Sequence, residues 1–273
     1  MLYAKASVTS SARLRRLASW TILSAVTSVL CCSAPRGDSR PISGLALEAA
    51  PPVILWTWER PDDLRFVDPA RIGISFLAGT LTLAGDDAAF RPRLNSLRFP
   101  PGAFLMACVR VESDRAAKPA LSPAQRSKAV AMIARVSQLP GVKALQVDFD
   151  AAASARPFYT ALLKDLRAKL PAPTSLSITA LASWCLDDDW LSALPVDEAV
   201  PMLFRMGPDR SSIVSYLKGG GDFHPAVCRK SLGLSTDEPL ATLPRGRRIY
   251  LFHTGAWTEE AVRQAVTRVE GVG

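Results

Sequence analysis

The sequence is poor in the residues on which most metal and nucleophile chemistries depend. It has two histidines, His224 and His253, in separate stretches of the chain, so a histidine-rich zinc site is not available. It has no G-x-S-x-G stretch, the nucleophile elbow that a serine hydrolase built on His253 would need. No glycine-rich phosphate loop follows the first apolar run, which counts against a dinucleotide-binding sheet. Clusters of Lys and Arg with interleaved aromatics are also missing, so nucleic acid is disfavoured as a partner. The 21 prolines and 16 glycines are scattered through 273 residues of which 48% are hydrophobic. That excludes collagen-like and disordered readings and leaves one large domain with a real core, or two small ones.

Acidic residues are missing from the N-terminus, where none occurs before Asp38. Lys5, Arg13, Arg15 and Arg16 form a basic region, and the run from Leu17 to Pro35 carries no charge. Diluted by Ser and Thr and barely long enough to span a bilayer, that run reads as a secretory signal over residues 1–34. An uncleaved signal anchor is the alternative. Val29-Leu30-Cys31-Cys32 is an imperfect acylation motif, so Cys31 and Cys32 are lipidation candidates, in competition with simple cleavage near Ala34. Either way the body of the protein is expected in the periplasm or at the cell surface, with the membrane touched only through this N-terminus. Removing the four basic residues brings the net charge from +8 to +4, so the high pI owes much to the targeting segment. Residues 35–51, rich in Ser, Pro, Gly and Ala, read as a linker.

Of the remaining cysteines, Cys108 sits in an apolar strand (FLMACV) and reads as a buried free thiol. Cys185 and Cys228 fall in loops and are disulfide candidates in an oxidising compartment, although spacing alone does not fix whether their backbones come within reach.

Between residues 52 and 273 there are eight apolar runs: Val53–Trp58, Ile72–Leu77, Phe104–Val111, Lys143–Phe149, Leu176–Ala182, Ala199–Phe204, Ser231–Ser235 and Arg248–Phe252. Most are continuous rather than alternating, as in strands of a covered parallel sheet. Helical signals lie between several of them. Ser122-Pro123 opens one helix, and Phe158, Leu162, Leu166 and Leu170 recur at four-residue spacing on the next. Asp187–Leu194 and Asp209–Leu217 are shorter candidates, and Thr258 before Glu259-Glu260 caps a last helix. This alternation predicts an α/β fold, a single (β/α)8 TIM-like barrel, with a doubly wound open sheet as runner-up. Residues 60–71 and 78–103 lack helical periodicity, so the first two helices are expected to be short or missing.

In such a barrel, function lies at the carboxyl ends of the strands. Strand four ends Asp148-Phe149-Asp150, which puts two carboxylates on one face, about 6–7 Å apart by strand rise. Buried acids need a partner or a task. The other strand ends supply Trp58 and Glu59, Arg110 and Glu112, Trp184, Arg205, Asp237 and Glu238, His253, and then Trp257. Tryptophan faces stack on sugar rings and carboxylates do acid/base work, so this rim suggests a carbohydrate site. The catalytic candidates are Asp150 as the acid, Asp148 to hold and tune it, and Glu238 as a partner across the barrel. Trp58, Glu59, Arg110, Glu112, Trp184, Arg205, Asp237, His253 and Trp257 are the substrate-binding candidates. For any one of them, a structural ion pair is as good a reading; the convergence carries the argument. No cofactor and no metal site is expected; Asp187-Asp188-Asp189 reads as an acidic helix start in preference to a Ca2+ site.

The segments VILWTWERPDDLRF, LQVDFDAAASARPFY, LSITALASWC, EAVPMLFRMG and SLGLSTDEPL resemble a bacterial family of unknown function whose members are exported or lipid-anchored TIM barrels. A more distant similarity is to chitinase-like family 18 glycosidases, whose fourth strand carries D-x-x-D-x-D-x-E. With Asp148 and Asp150 set on its last two aspartates, Leu145 falls at the first position and Ala152 at the catalytic glutamate. The substrate-assisted chitinase mechanism therefore does not transfer. The expectation is an exported glycoside-hydrolase-like barrel acting on a polysaccharide or glycoconjugate; the alternative is a non-catalytic glycan-binding or envelope module.

Overall fold

The computed structural model describes residues 45–187, 189–240 and 242–271. The proposed signal, with Cys31 and Cys32, lies outside them, as do Asp188 and the side chain of Asp187. Eight parallel strands close into a barrel: β1 (Val53–Thr57), β2 (Ile72–Ala84), β3 (Leu105–Ser113), β4 (Val142–Asp148), β5 (Ser175–Leu181), β6 (Glu198–Met202), β7 (Ser231–Ser235) and β8 (Arg248–Phe252). Closure comes from β1, which pairs with β2 on one side and with β8 on the other. The expected barrel is the observed one.

Four longer helices cover it: α1 (Pro123–Val136), α2 (Arg156–Lys169), α3 (Arg210–Lys218) and α4 (Glu259–Glu270). Two of their starts are fixed by side-chain caps, which satisfy amide donors that a helix leaves unpaired. Ser122 Oγ accepts from Gln125 N at 3.2 Å, and Thr258 Oγ1 from Ala261 N at 3.1 Å. Leu162, Leu163 and Leu166 of α2 are fully buried, as the four-residue spacing requires.

The first two crossovers lack a helix of this length, and the sequence lacks its period there. β2 instead runs on past the barrel, through a register shift between Leu77 and Gly79, and folds back as a hairpin with Asp87–Pro92. The expected strand end at Leu77 was too early, because TLTLA continues the extended pattern above the rim. Gly79 is required there: a Cβ would lie 2.4 Å from the Phe90 ring and 2.6 Å from the Arg91 carbonyl oxygen. A short parallel pair, Asp62–Asp63 with Leu97–Arg98, completes this region. The β5–β6 crossover is also weak, holding one helical turn (Trp184–Asp187) and one 3-10 turn (Trp190–Ala193) instead of the helix expected over 187–194.

Two apolar cores result. The larger lies between the strands and the outer layer. The smaller fills the barrel and contains Ile54, Trp56, Phe104, Met106, Ala144, Val200 and Tyr250. Leu47 closes it from below, and its backbone N donates to Ser175 Oγ at 3.2 Å. Residues 45–51, read in the sequence as the end of a linker, thus form part of the barrel floor. Above the floor a polar chain crosses the interior. Glu198 accepts from Arg248 at 2.8 Å, Tyr250 OH at 2.7 Å and Ser177 Oγ at 3.1 Å. Gln146 donates to Ser177 and accepts from Trp56 Nε1 at 2.7 Å. Glu198, Tyr250, Ser177, Gln146 and Trp56 are buried and Arg248 is mostly so, and the bonds offset what burying them costs.

Candidate functional site

A cavity of about 210 Å³ opens at the carboxyl ends of the strands. Its floor is Trp56, Met202, Thr179 and Asp148; Trp58, Phe204 and Phe252 form aromatic walls, and Arg110, Asp150 and Arg205 stand around it. The strand register explains why these side chains meet. Arg110 and Asp148 are directly paired between β3 and β4, and Val147 is paired with Ile178, which brings Thr179 beside Asp148. Trp56 fits into the interior because β7 carries Gly233 opposite it, where a Cβ would lie 2.9 Å from the indole.

Asp148 is almost fully buried, and both of its oxygens are engaged. Thr179 Oγ1 donates to one at 2.7 Å and Arg110 to the other at 3.2 Å. Arg110 is shared, however, with a closer bond of 2.7 Å to the exposed Glu112. Burial therefore outweighs pairing and raises the Asp148 pKa above its ordinary 3.8; the Thr179 bond and Arg110 oppose the rise, while Asp150 and Glu112 add to it. Asp150 differs. It is exposed at the mouth and makes no hydrogen bond or ion pair among the described residues. Between them Phe149 points outward, its ring edge-on to Tyr159 at 5.2 Å, which anchors the strand end to α2.

The aromatic wall is built from strand ends that meet across the barrel. Phe204 and Phe252 stack with planes 1° apart and centroids 5.6 Å apart, and Trp58 meets Phe252 edge-on at 6.3 Å. Arg205 lies over Phe252 at 5.2 Å and Arg110 over Trp58 at 6.0 Å, so a cation sits at each end of the wall.

Residues 102–204 match the model of a family described as a domain of unknown function, DUF3142. That span runs through β3–β6 and carries Arg110, Asp148, Asp150, Thr179 and Phe204. The sequence resemblance to such a family thus holds over this region. No curated protein matches the chain. Among solved structures it resembles a chitinase A candidate from Streptomyces coelicolor, at 12% identity and a TM-score of 0.50, over 81% of this chain and 96% of that one. The chitinase domain of the spore coat protein CotE from Clostridium difficile also matches, at 13% identity and a TM-score of 0.43, over 80% and 71%. At such identities the first likeness speaks for the barrel alone.

Of the residues proposed from sequence, the cavity brings together Asp148, Asp150, Trp58, Arg110 and Arg205. The others do not line it. Glu238 accepts from Arg210 at 2.7 Å and from the Arg205 backbone N at 3.2 Å to each oxygen, so it braces a loop. Glu59 is paired with Arg91 at 2.7 Å, and Glu112 with Arg110. Asp237 accepts from Ser235 Oγ, a bond that holds its pKa low. His253 meets Thr236 Oγ1 at 2.7 Å, and burial together with the Arg60 charge lowers its pKa. Trp257 is buried, with Nε1 donating to the Trp56 carbonyl at 2.9 Å. Trp184 belongs to the outer layer, packed with Trp190 at 5.3 Å and with Arg156 above both rings.

The sequence reading, which placed Trp56 at the rim, missed Thr179, Leu181, Met202, Phe204 and Phe252. Phe204 and Phe252 each lie one residue before a position chosen as a strand end, Arg205 and His253. Arg93 was also missed. Its buried side chain donates to the carbonyls of Thr57, Trp58 and Arg60 and faces buried Asp62 at 3.7 Å, and so fixes the loop that carries Trp58. Cys185 and Cys228 form a disulfide with Cα atoms 6.0 Å apart, and Cys108 is a buried free thiol.

Proposed function

We propose that this chain is an exported, glycoside-hydrolase-like barrel that acts on a polysaccharide or glycoconjugate, with Asp150 as the reacting carboxyl. The supporting observation is a free carboxylate beside a second, buried one, at the end of strand four and in an aromatic-lined cavity. At about 210 Å³ the cavity is smaller than drug-sized pockets of roughly 300–1,000 Å³, so it suits one ring-sized group with the rest of a chain outside. A sugar ring would lie against the Phe204–Phe252 wall. A protonated Asp150 would give its proton to the leaving oxygen as the glycosidic bond breaks, with Asp148, held by Thr179 and Arg110, fixing the strand end beside it; water then adds to the anomeric carbon and its proton returns to Asp150. The disulfide and the N-terminal signal pattern support an oxidising compartment outside the cytoplasm.

A second reading, a glycan-binding module without turnover, is favoured by Ala152 at the position of the chitinase-like acid and by the arginine pairing of Glu59, Glu112 and Glu238. A polysaccharide-hydrolysis and glycan-array screen separates the two. New reducing ends released by the wild type and abolished by Asp150→Asn, with binding kept, support catalysis. Binding without product by either protein supports the module.

A further inference from the structure

Arg205 is presented in a way that its neighbours do not require. It is one of two non-glycine residues with a left-handed backbone among the described residues, at φ 52°. That conformation is unfavourable for arginine and is held by Glu238, which accepts from the Arg205 backbone N with both oxygens and is itself fixed by Arg210. The guanidinium is thereby held over the Phe252 ring at the cavity wall. Unlike Arg110, which serves Glu112 and Asp148, it makes no hydrogen bond or ion pair among the described residues. Asp237, an acid within electrostatic reach, is bonded to Ser235.

We propose that Arg205 is an anion subsite and that the sugar bound in this cavity carries a carboxylate, as a uronic acid does. The proposal rests on the carbohydrate reading of the cavity and names the substrate class. A guanidinium offers a planar pair of donors that matches a carboxylate, and its stacking on Phe252 already fixes its plane, so little freedom is lost on binding. Asp148 and Asp150 in the same cavity limit the charge it tolerates, which favours a singly charged carboxylate over a dianionic phosphate.

The test uses the full chain and a panel of uronate-bearing oligosaccharides, each beside its carboxyl-reduced neutral form and a sulfated neutral one. Titration calorimetry should show the best-bound uronate weakened about 10- to 100-fold by carboxyl reduction, the range expected for a charged hydrogen bond. Raising the salt should weaken uronate binding and spare the neutral form, a reading that needs no variant. Arg205→Asn, which removes the cation at a position whose backbone asparagine tolerates, should erase the difference between the two forms. Arg205→Lys should keep its direction. Equal binding of acidic and reduced forms, an equal loss of both in Arg205→Asn, or a preference for the sulfated form would overturn the acidic-sugar subsite and leave the carbohydrate reading standing. Failure of every oligosaccharide, neutral or acidic, to bind would overturn the carbohydrate reading and this proposal with it.

Discussion

The Cys185–Cys228 disulfide stands where the barrel lacks a long covering helix. It ties the helical turn after β5 to the turn before β7, and both cysteines are fully buried. The bond closes a loop with a sequence separation of 43. In the chain-entropy account a loop of that length lowers the unfolded-state entropy enough to stabilise the fold by about 4 kcal/mol at room temperature. The double substitution Cys185→Ala/Cys228→Ala should therefore cost about 4 kcal/mol, with a further contribution from the small void left by two buried sulfurs. For a domain of this size that lowers the melting temperature by roughly 8–16 °C. The assay is urea and thermal unfolding of the two proteins, with the mass of the unreduced wild type measured in parallel; reduction should add two hydrogens. A loss below about 1 kcal/mol would refute the view that the bond substitutes for the missing helix. An unreduced mass already carrying both hydrogens would refute the bond itself and weaken the case for export.

Three further perturbations follow from the buried polar groups. Arg93→Ala removes the cation facing buried Asp62 and the donor for three loop carbonyls; it should cost about 3–5 kcal/mol in urea unfolding and loosen the loop bearing Trp58. Glu198→Ala leaves Arg248 without its carboxylate inside the barrel and should cost a similar 3–5 kcal/mol, visible as a lower melting temperature. For Asp148 the folded pKa lies above the unfolded one. The folded state thus holds the proton more tightly, and stability falls as pH rises from the ordinary carboxylate value of 3.8 through the raised folded value. Asp148→Asn lacks this fall. Unfolding measured from pH 3 to pH 7 should show it gaining on the wild type as pH rises, and a gain by the wild type would contradict the burial argument.

The barrel was legible because its strands are mostly continuous apolar runs, buried on both faces, and several of the segments between them carry a helical period. The absence of the first two helices was legible as a lack of period; the hairpin that replaces them was not, since its pairing depends on Gly79 accommodating Phe90. In the site, Asp148, Asp150, Arg110 and Arg205 were found because charge at a strand end is conspicuous, and Trp58 because a tryptophan there offers a stacking face. Glu238, Asp237 and His253 were just as conspicuous, yet loop contacts invisible in sequence turn them to bracing. Phe204 and Phe252 were passed over because a phenylalanine closing an apolar run looks like core until the barrel sets the two side by side.

The central claim is that a carbohydrate binds at the carboxyl-terminal mouth of the barrel. Hydrogen exchange measured on the full chain, with and without the best-bound oligosaccharide, tests it most directly. Slowed exchange should be confined to the strand ends around Trp58, Asp150, Thr179, Arg205 and Phe252, and Trp58→Ala should weaken binding about tenfold through the lost stacking face. Protection at the opposite groove around Pro69, Gly102 and Lys143, with binding indifferent to Trp58→Ala, would contradict it.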